Sequence, residues 1–277
     1  MKKIFFFYIA FSLFTFHFCR AQNLFDLEHT KSFADYLYES GQYKLAAEES
    51  ERWLFLSPGN DTASLMLLQS CRKGGLYDLG IQKSKTLFDS GKKLNAPQSL
   101  EYATMLMLNK NFIEVDTFLK SNNSLSVSEH NYLMMNKFLM MKDWKNAEHV
   151  FHNNEGAYYP GFKPYADIFK AYKDLPHRSA ALAMTMSTIV PGTGKFYTGD
   201  WKDAIFSIML IGASGIQAYR GFNEKGVKSA YGWIFGGFGA GLYLGNIYGS
   251  FKSAKDFNHK HENELLKKAT DLFSYNL

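Results

Sequence analysis

The pattern of apolar positions divides the chain into two halves. Up to about residue 154, apolar and polar residues interleave as they do in helices that bury one face. After about residue 178, small apolar residues and glycines run together with few charges. At 277 residues the chain has room for one or two domains. The contrast predicts two parts, both helical, and an all-α fold.

The first half repeats itself. Gly41-Gln42-Tyr43-Lys44-Leu45-Ala46 is echoed by Gly75-Leu76-Tyr77-Asp78-Leu79-Gly80, then by Lys110-Asn111-Phe112-Ile113-Glu114-Val115 and Lys142-Asp143-Trp144-Lys145-Asn146-Ala147. The aromatic positions 43, 77, 112 and 144 lie 34, 35 and 32 residues apart. That period matches a helix-turn-helix unit in which a turn residue ends the first helix and an aromatic opens the second. A small residue three positions later lets the two helices approach. Such a unit cannot bury its apolar stripe alone, so four stacked units are expected over residues 22–154. Ser57-Pro58-Gly59-Asn60 is a helix stop by its own chemistry.

With Ala34, Gly41, Tyr43, Ala46, Leu54, Pro58 and Asn60, the first unit resembles the tetratricopeptide repeat family. The later units depart from the pattern. The second has Gly80 where the family has alanine, and the third keeps Ala103 and Phe112 but shortens before Ser121-Asn122-Asn123-Ser124. The fourth keeps Trp144, Ala147 and Phe151 and then stops. The resemblance implies a short helical solenoid whose first helices line a concave groove for a protein partner. Carried over position by position, the family's groove residues fall on Asp35, Tyr38, Gln69, Arg72, Tyr132 and Asn136.

Residues 155–178 form a link carrying Pro160, Gly161, Pro164 and Pro176, with a short capping helix expected to start after Pro164. Ser179 to Val190 is apolar, but 12 residues make a helix of only about 18 Å, too short for a hydrocarbon core of about 30 Å. The run Pro191 to Trp201 contains three glycines and a proline and predicts a tight turn. A phosphate-loop reading of Gly194-Lys195 fails, because Phe196 stands where Ser or Thr is needed and Ile189 where the first glycine belongs. Two stretches without a charge follow, Ala204 to Tyr219 and Ala230 to Gly249, of 16 and 20 residues. The second is long enough to cross a membrane and the first is marginal. Gly237, Gly241, Gly245 and Gly249 repeat every four residues, a spacing that suits close helix packing in lipid. Seven glycines in 20 residues would be costly in a water-exposed helix.

Pro191, Gly192, Gly194, Tyr197 and Gly199 spell Pro-Gly-x-Gly-x-x-Tyr-x-Gly. Together with Tyr243 to Ser250 this resembles an arrangement frequent in Bacteroidetes envelope proteins, in which the motif precedes a two-helix membrane hairpin. The resemblance implies architecture more than activity. The expected parts are a repeat region at 22–154, the link at 155–178, a hairpin domain at 179–250 and an amphipathic tail helix at 251–277.

Met1-Lys2-Lys3, the apolar Ile4 to Phe18 and Cys19-Arg20-Ala21 predict a secretory signal over residues 1–21. Its removal takes three basic residues and no acid from a net charge of +5, leaving 28 basic against 26 acidic residues, or +2. The mature chain therefore offers no basic footprint for nucleic acid. Cys71 becomes its only cysteine, so no internal disulfide forms and a helix interface is expected to bury it. His259-Lys260-His261-Glu262 does not make a metal site, since ligands two apart on a helix point away from each other. No nucleophile, base and orienting group assemble, so no catalytic, cofactor or metal site is expected. The reading that follows is not an enzyme. It is a scaffold at the inner membrane with its repeats in the periplasm, binding a protein partner and membrane lipid. One rival is an oligomeric membrane component, a pore or assembly factor, held together by the glycine-rich helix. Another is an enzyme centred on Lys195, Tyr197 and Asp200.

Overall fold

The computed structural model of the chain describes residues 25–89, 93–154 and 160–275. The expected signal segment lies outside them. Among the described residues there are thirteen α-helices and no strand. The chain divides into two compact units, one running to Lys137 and the other from Phe138 to Asn276.

The first unit contains α1 (Leu27–Glu39), α2 (Tyr43–Leu56), α3 (Asp61–Lys73), α4 (Tyr77–Asp89), α5 (Ala96–Leu108), α6 (Phe112–Ser121) and most of α7 (Val127–Met140). From α1 to α6 successive helices pack as neighbours, and α3 also packs on α5. Local chemistry sets where α1, α3, α5 and α6 start. The side chains of Asp26, Asn60, Asn95 and Asn111 each accept a backbone N–H of the following first turn. At Asn95 the cap is reciprocal, since Gln98 Oε1 accepts the Asn95 N–H.

The turns carry the repeat. Gly41, Gly75 and Lys110 all have left-handed φ, at 77°, 69° and 59°. In each case the next residue's N–H reaches back five residues, Gln42 to Leu37 O, Leu76 to Cys71 O and Asn111 to Leu106 O, at 2.8–2.9 Å. This closure satisfies a carbonyl that the helix end leaves open. The small position three residues past each aromatic is buried at Ala46, Gly80 and Val115. Gly80 has a specific reason: a Cβ there would meet Met105 Sδ at 2.2 Å and Cys71 Cβ at 2.9 Å. Cys71 is fully buried, and burial pushes its thiol up to about 11, which makes it an inert core residue.

A buried ion pair joins α3 to α5. Arg72 Nε donates to Glu101 Oε2 at 2.5 Å and Nη2 to Oε1 at 3.2 Å, with both side chains almost fully shielded. Two charges removed from water in this way hold only as a pair, and loss of either partner strands the other.

The second unit contains the end of α7, α8 (Trp144–Asn153), a 3-10 turn (Pro160–Phe162), α9 (Tyr165–Lys173), α10 (Ala180–Ile189), α11 (Thr193–Thr198), α12 (Trp201–Lys225), a second 3-10 turn (Gly226–Lys228) and α13 (Ala230–Tyr275). The helix expected after Pro164 is α9. At 46 residues α13 is the spine of this unit. Its C-terminal half buries Leu265, Ala269 and Phe273, and Tyr165 donates its hydroxyl to Ala269 O at 3.2 Å. Trp144 Nε1 donates to Glu262 at 3.0 Å and its ring stacks on Tyr172 with centroids 4.2 Å apart.

The division into units and the helix ends do not coincide with the expected boundaries. The fourth turn, with Lys142 at φ 60° and Asp143 N–H bonded to Phe138 O at 2.8 Å, lies in the second unit, where Trp144 finds its partners on α9 and α13. α13 runs through residue 250 without a break and carries on to Tyr275.

Two stability tests follow from these contacts. Lysine in the left-handed region costs about 1 kcal/mol that glycine does not incur, so Lys110→Gly should raise unfolding stability by about that much in urea titration. Glu101→Gln leaves the Arg72 guanidinium buried without its counter-charge and should cost about 3 kcal/mol in the same measurement.

Candidate functional site in the glycine-rich helices

The Pro-Gly turn folds α10 and α11 onto α13, and each conspicuous residue in it has a steric or hydrogen-bonding task. Gly192 sits at φ 87°, where a Cβ would meet Ala204 O at 2.9 Å. Gly194 is tighter, since its Cβ would lie 2.0 Å from Ala183 O. Its N–H donates to Ser187 Oγ at 2.9 Å, and Ser187 in turn meets Ser250 Oγ at 2.6 Å. Gly199, at φ 90°, ends α11, and Asp200 N–H closes back on Lys195 O at 2.9 Å. Tyr197 accepts the Ser179 N–H at 3.2 Å and carries the Arg178 guanidinium over its ring at 4.8 Å. Thr198 and Asp200 both bond Ser253. Pro191 is half-buried ahead of them. The motif is a clamp of glycines and hydroxyls that holds a short helix against a long one.

Lys195, Tyr197 and Asp200 do not converge on one point. Lys195 Nζ donates to Ser207 Oγ at 3.1 Å, while Tyr197 faces Ser179 and Asp200 faces Ser253. Acids displaced in their titration serve packing elsewhere. The hydrogen bond from Lys85 holds Glu114 below the usual carboxylate range, and that from Lys173 does the same for Glu148. Among the described residues no three His, Cys, Asp or Glu side chains gather where they could hold a metal ion.

Beyond the clamp, α12 and α13 run antiparallel and in close contact through glycine. A Cβ on Gly221 would meet Gly232 N at 2.7 Å, and one on Gly232 would meet the Phe222 ring at 2.8 Å. Gly239 faces Ser214 at 3.2 Å. The expected ladder glycines take no part in these contacts. Gly237, Gly241 and Gly245 have nothing within 4 Å of an added Cβ, and Gly249 meets only the end of Lys195. Within the chain the ladder glycines leave open space, because the helix pair is closed by their neighbours.

That space is a cleft of about 550 Å³ between α12 and α13. Phe206, Leu210, Ile211, Phe238 and Leu242 line it together with Gly237, Gly241 and Gly245. Lys195, Ser207 and Asn246 supply its polar end. Asn246 is 3% exposed, and neither atom of its amide finds a hydrogen-bond partner among the described residues. A second cleft, of about 750 Å³, surrounds Arg178, Lys255 and His259 where α9 and α10 meet α13.

The outer surfaces of α12 and the first half of α13 are apolar. Trp201, Phe206, Met209, Ile216 and Tyr219 on α12, with Trp233, Ile234, Phe238, Leu244 and Tyr248 on α13, are each between 55% and 71% exposed. Beyond residue 250 the pattern reverts, with Lys252, Lys255, Asp256 and Lys260 outward and Leu265, Ala269 and Phe273 inward. Among the described residues no helix is long and apolar enough to cross a membrane. The expected crossing by Ala230 to Gly249 falls short because glycine, asparagine and tyrosine dilute its hydropathy.

Of the groove positions, Asp35, Tyr38 and Gln69 are half-buried with part of each side chain in solvent. Tyr38 packs edge-on against Tyr43 with centroids 5.6 Å apart and carries Lys73 over its ring at 4.6 Å. Arg72, Tyr132 and Asn136 are buried. Arg72 is consumed by the Glu101 pair, Tyr132 is 0% exposed, and Asn136 is 1% exposed and donates to Tyr132 O. The residues that sequence reasoning did not place in a site are Ser207 and Asn246; for Asn246 a lone amide in an apolar stretch is the signal. Comparison of the chain with family models, with curated proteins and with solved structures finds no match.

The two kinds of glycine respond differently to the same change. Gly194→Ala forces a backbone contact apart and should cost about 1–3 kcal/mol. Gly237→Ala meets open space, gains helix propensity and should raise stability by up to about 1 kcal/mol. Thermal or chemical unfolding of the two variants side by side checks the contrast.

Proposed function

We propose that this protein is a non-enzymatic scaffold anchored in the bacterial inner membrane, with tetratricopeptide-like helix pairs on the periplasmic side that bind a protein partner. The observation that carries the reading is the inverted surface of α12 and α13. Large aromatic and aliphatic side chains on two adjacent helices face outward, while the side between the helices holds glycine and serine. Such a surface in water would be an aggregation hazard, whereas lipid is its natural solvent. Tyr219 and Trp233 lie at one end of the pair and Trp201 and Tyr248 at the other, about 27 Å apart along α12, which suits aromatic anchoring at two interfaces. The hairpin enters lipid as a unit, since neither helix has the apolar content to enter alone. The exposed turn with Arg220, Lys225 and Lys228 against Glu224 then belongs on the cytoplasmic side.

On the repeat side, Asp35, Tyr38 and Gln69 are the positions still open to a partner segment. A second reading is an oligomeric membrane component. It is favoured by the open face of Gly237, Gly241 and Gly245, which would admit a helix from another copy.

Carbonate extraction of membranes from expressing cells, paired with protease access to the repeat region in spheroplasts, tests the first reading. It expects a protein that stays with the membrane and repeats that are cleaved from outside. A chain released by carbonate would overturn the anchor. Repeats protected in intact spheroplasts would overturn the orientation. A single uniform oligomer in several detergents would favour the second reading.

A further inference from the structure

Four observations converge at the cleft between α12 and α13. Its wall is bare backbone, because Gly237, Gly241 and Gly245 have nothing within 4 Å of an added Cβ. Its polar end holds a shielded cation: the Lys195 side chain is 14% exposed, touches only the neutral Ser207 hydroxyl at hydrogen-bond range, and lies 3.9 Å from a well-exposed Asp203 carboxylate. Beside it, the Asn246 amide is nine-tenths buried with a free donor and a free acceptor. A volume of about 550 Å³ is of the size that holds a small ligand or part of a larger one.

Each of these features is a cost until something fills the cleft. The Lys195 ammonium has the well-exposed Asp203 carboxylate 3.9 Å away as its counter-charge and keeps donor capacity toward the cleft, while a buried amide with neither partner needs both an acceptor and a donor. A helix from a second copy would cover the glycines, yet it would leave Lys195 and Asn246 facing apolar side chains. A phosphate ester provides acceptor oxygens for Lys195, Ser207 and the Asn246 N–H, and a hydroxyl on the same head group provides a donor for the Asn246 carbonyl. An attached acyl chain fits the remaining surface. From Gly245 to Gly237 the bare backbone extends about 12 Å, where methylenes pack against it without obstruction.

We propose that this cleft is a binding site for one anionic phospholipid, with its phosphate at Lys195, Ser207 and Asn246 and an acyl chain along Gly245, Gly241 and Gly237. The inference rests on the reading of α12 and α13 as a pair in contact with lipid, and it adds a defined site to that general contact.

The test uses the full chain in a neutral detergent, titrated with phosphatidylglycerol and, separately, with phosphatidylcholine, and bound lipid is counted by native mass spectrometry. One phosphatidylglycerol per chain is expected at ratios where phosphatidylcholine is not retained. Lys195→Met removes the charge at similar length, and Gly241→Leu fills the open wall. Each should lower phosphatidylglycerol retention at least tenfold. Because Gly241 has room for a side chain, the Gly241→Leu melting midpoint in detergent should not fall, which separates loss of binding from loss of fold.

Equal retention of both lipids, or retention by both variants like that of the unmodified chain, would overturn the proposal. So would full displacement by inorganic phosphate at equal concentration, which would make the site one for free phosphate. An oligomer that Gly241→Leu dissociates while lipid binding is unchanged would assign the glycine face to a second copy and likewise overturn it. The two readings fail separately. A chain that carbonate releases yet retains phosphatidylglycerol would sink the anchor and keep the site, and a carbonate-resistant chain with no lipid preference would do the reverse.

Discussion

Helices approach only as closely as the side chains between them allow, and this limit organises the second unit. Gly194 against Ala183, and Gly221 against Gly232, leave no room for even one methyl group. With backbones so near, short hydroxyls reach across and satisfy one another, as in the Ser187–Ser250 and Thr198–Ser253 contacts at 2.6 Å. Larger residues at those positions would push α10 and α12 off α13 and break the hydroxyl contacts with them. The bulky side chains of α12 and α13, denied the interior, are left on the outside. The inverted surface of the pair is thus the geometric consequence of a small-residue interior.

How much of this was legible in the sequence depended on how far each residue's partners lie along the chain. The repeat register was legible because its turn is local: the residue before the cap, the left-handed position and the aromatic fall within a few residues, and the same closure recurs at Gly41, Gly75, Lys110 and Lys142. The Pro-Gly turn was legible for the same reason. The groove was not, since whether an outward-looking position on α3 stays exposed depends on α5. Arg72 looked like a surface residue until Glu101, 29 positions on, took its guanidinium into the core. The unit boundary was hidden in the same way, because Trp144 carries a repeat signature but bonds to Glu262, 118 positions away.

The glycine ladder combines both cases. Its four-residue spacing reads as one bare helix face, yet spacing alone does not say which glycines meet a neighbour. Gly232, Gly236 and Gly239, which pack on or toward α12, lie on one face of α13, and Gly237, Gly241 and Gly245, which do not, lie on another. A period is a property of one helix, whereas contact is a property of two.

An open glycine face and a buried, unsatisfied amide are each unremarkable alone, and their coincidence constrains the answer. Glycine weakens a helix unless close approach is needed, so three in register where an added Cβ would meet nothing among the described residues have a cost without an internal return. Asn246 compounds it, since leucine or alanine at that position would avoid stranding an amide. The interior of the helix pair does not require either feature, because Gly221, Gly232 and Ser214 already close it. The proposed occupant of the ladder face is slim enough to use bare backbone and brings polar atoms to the end where Lys195, Ser207 and Asn246 meet.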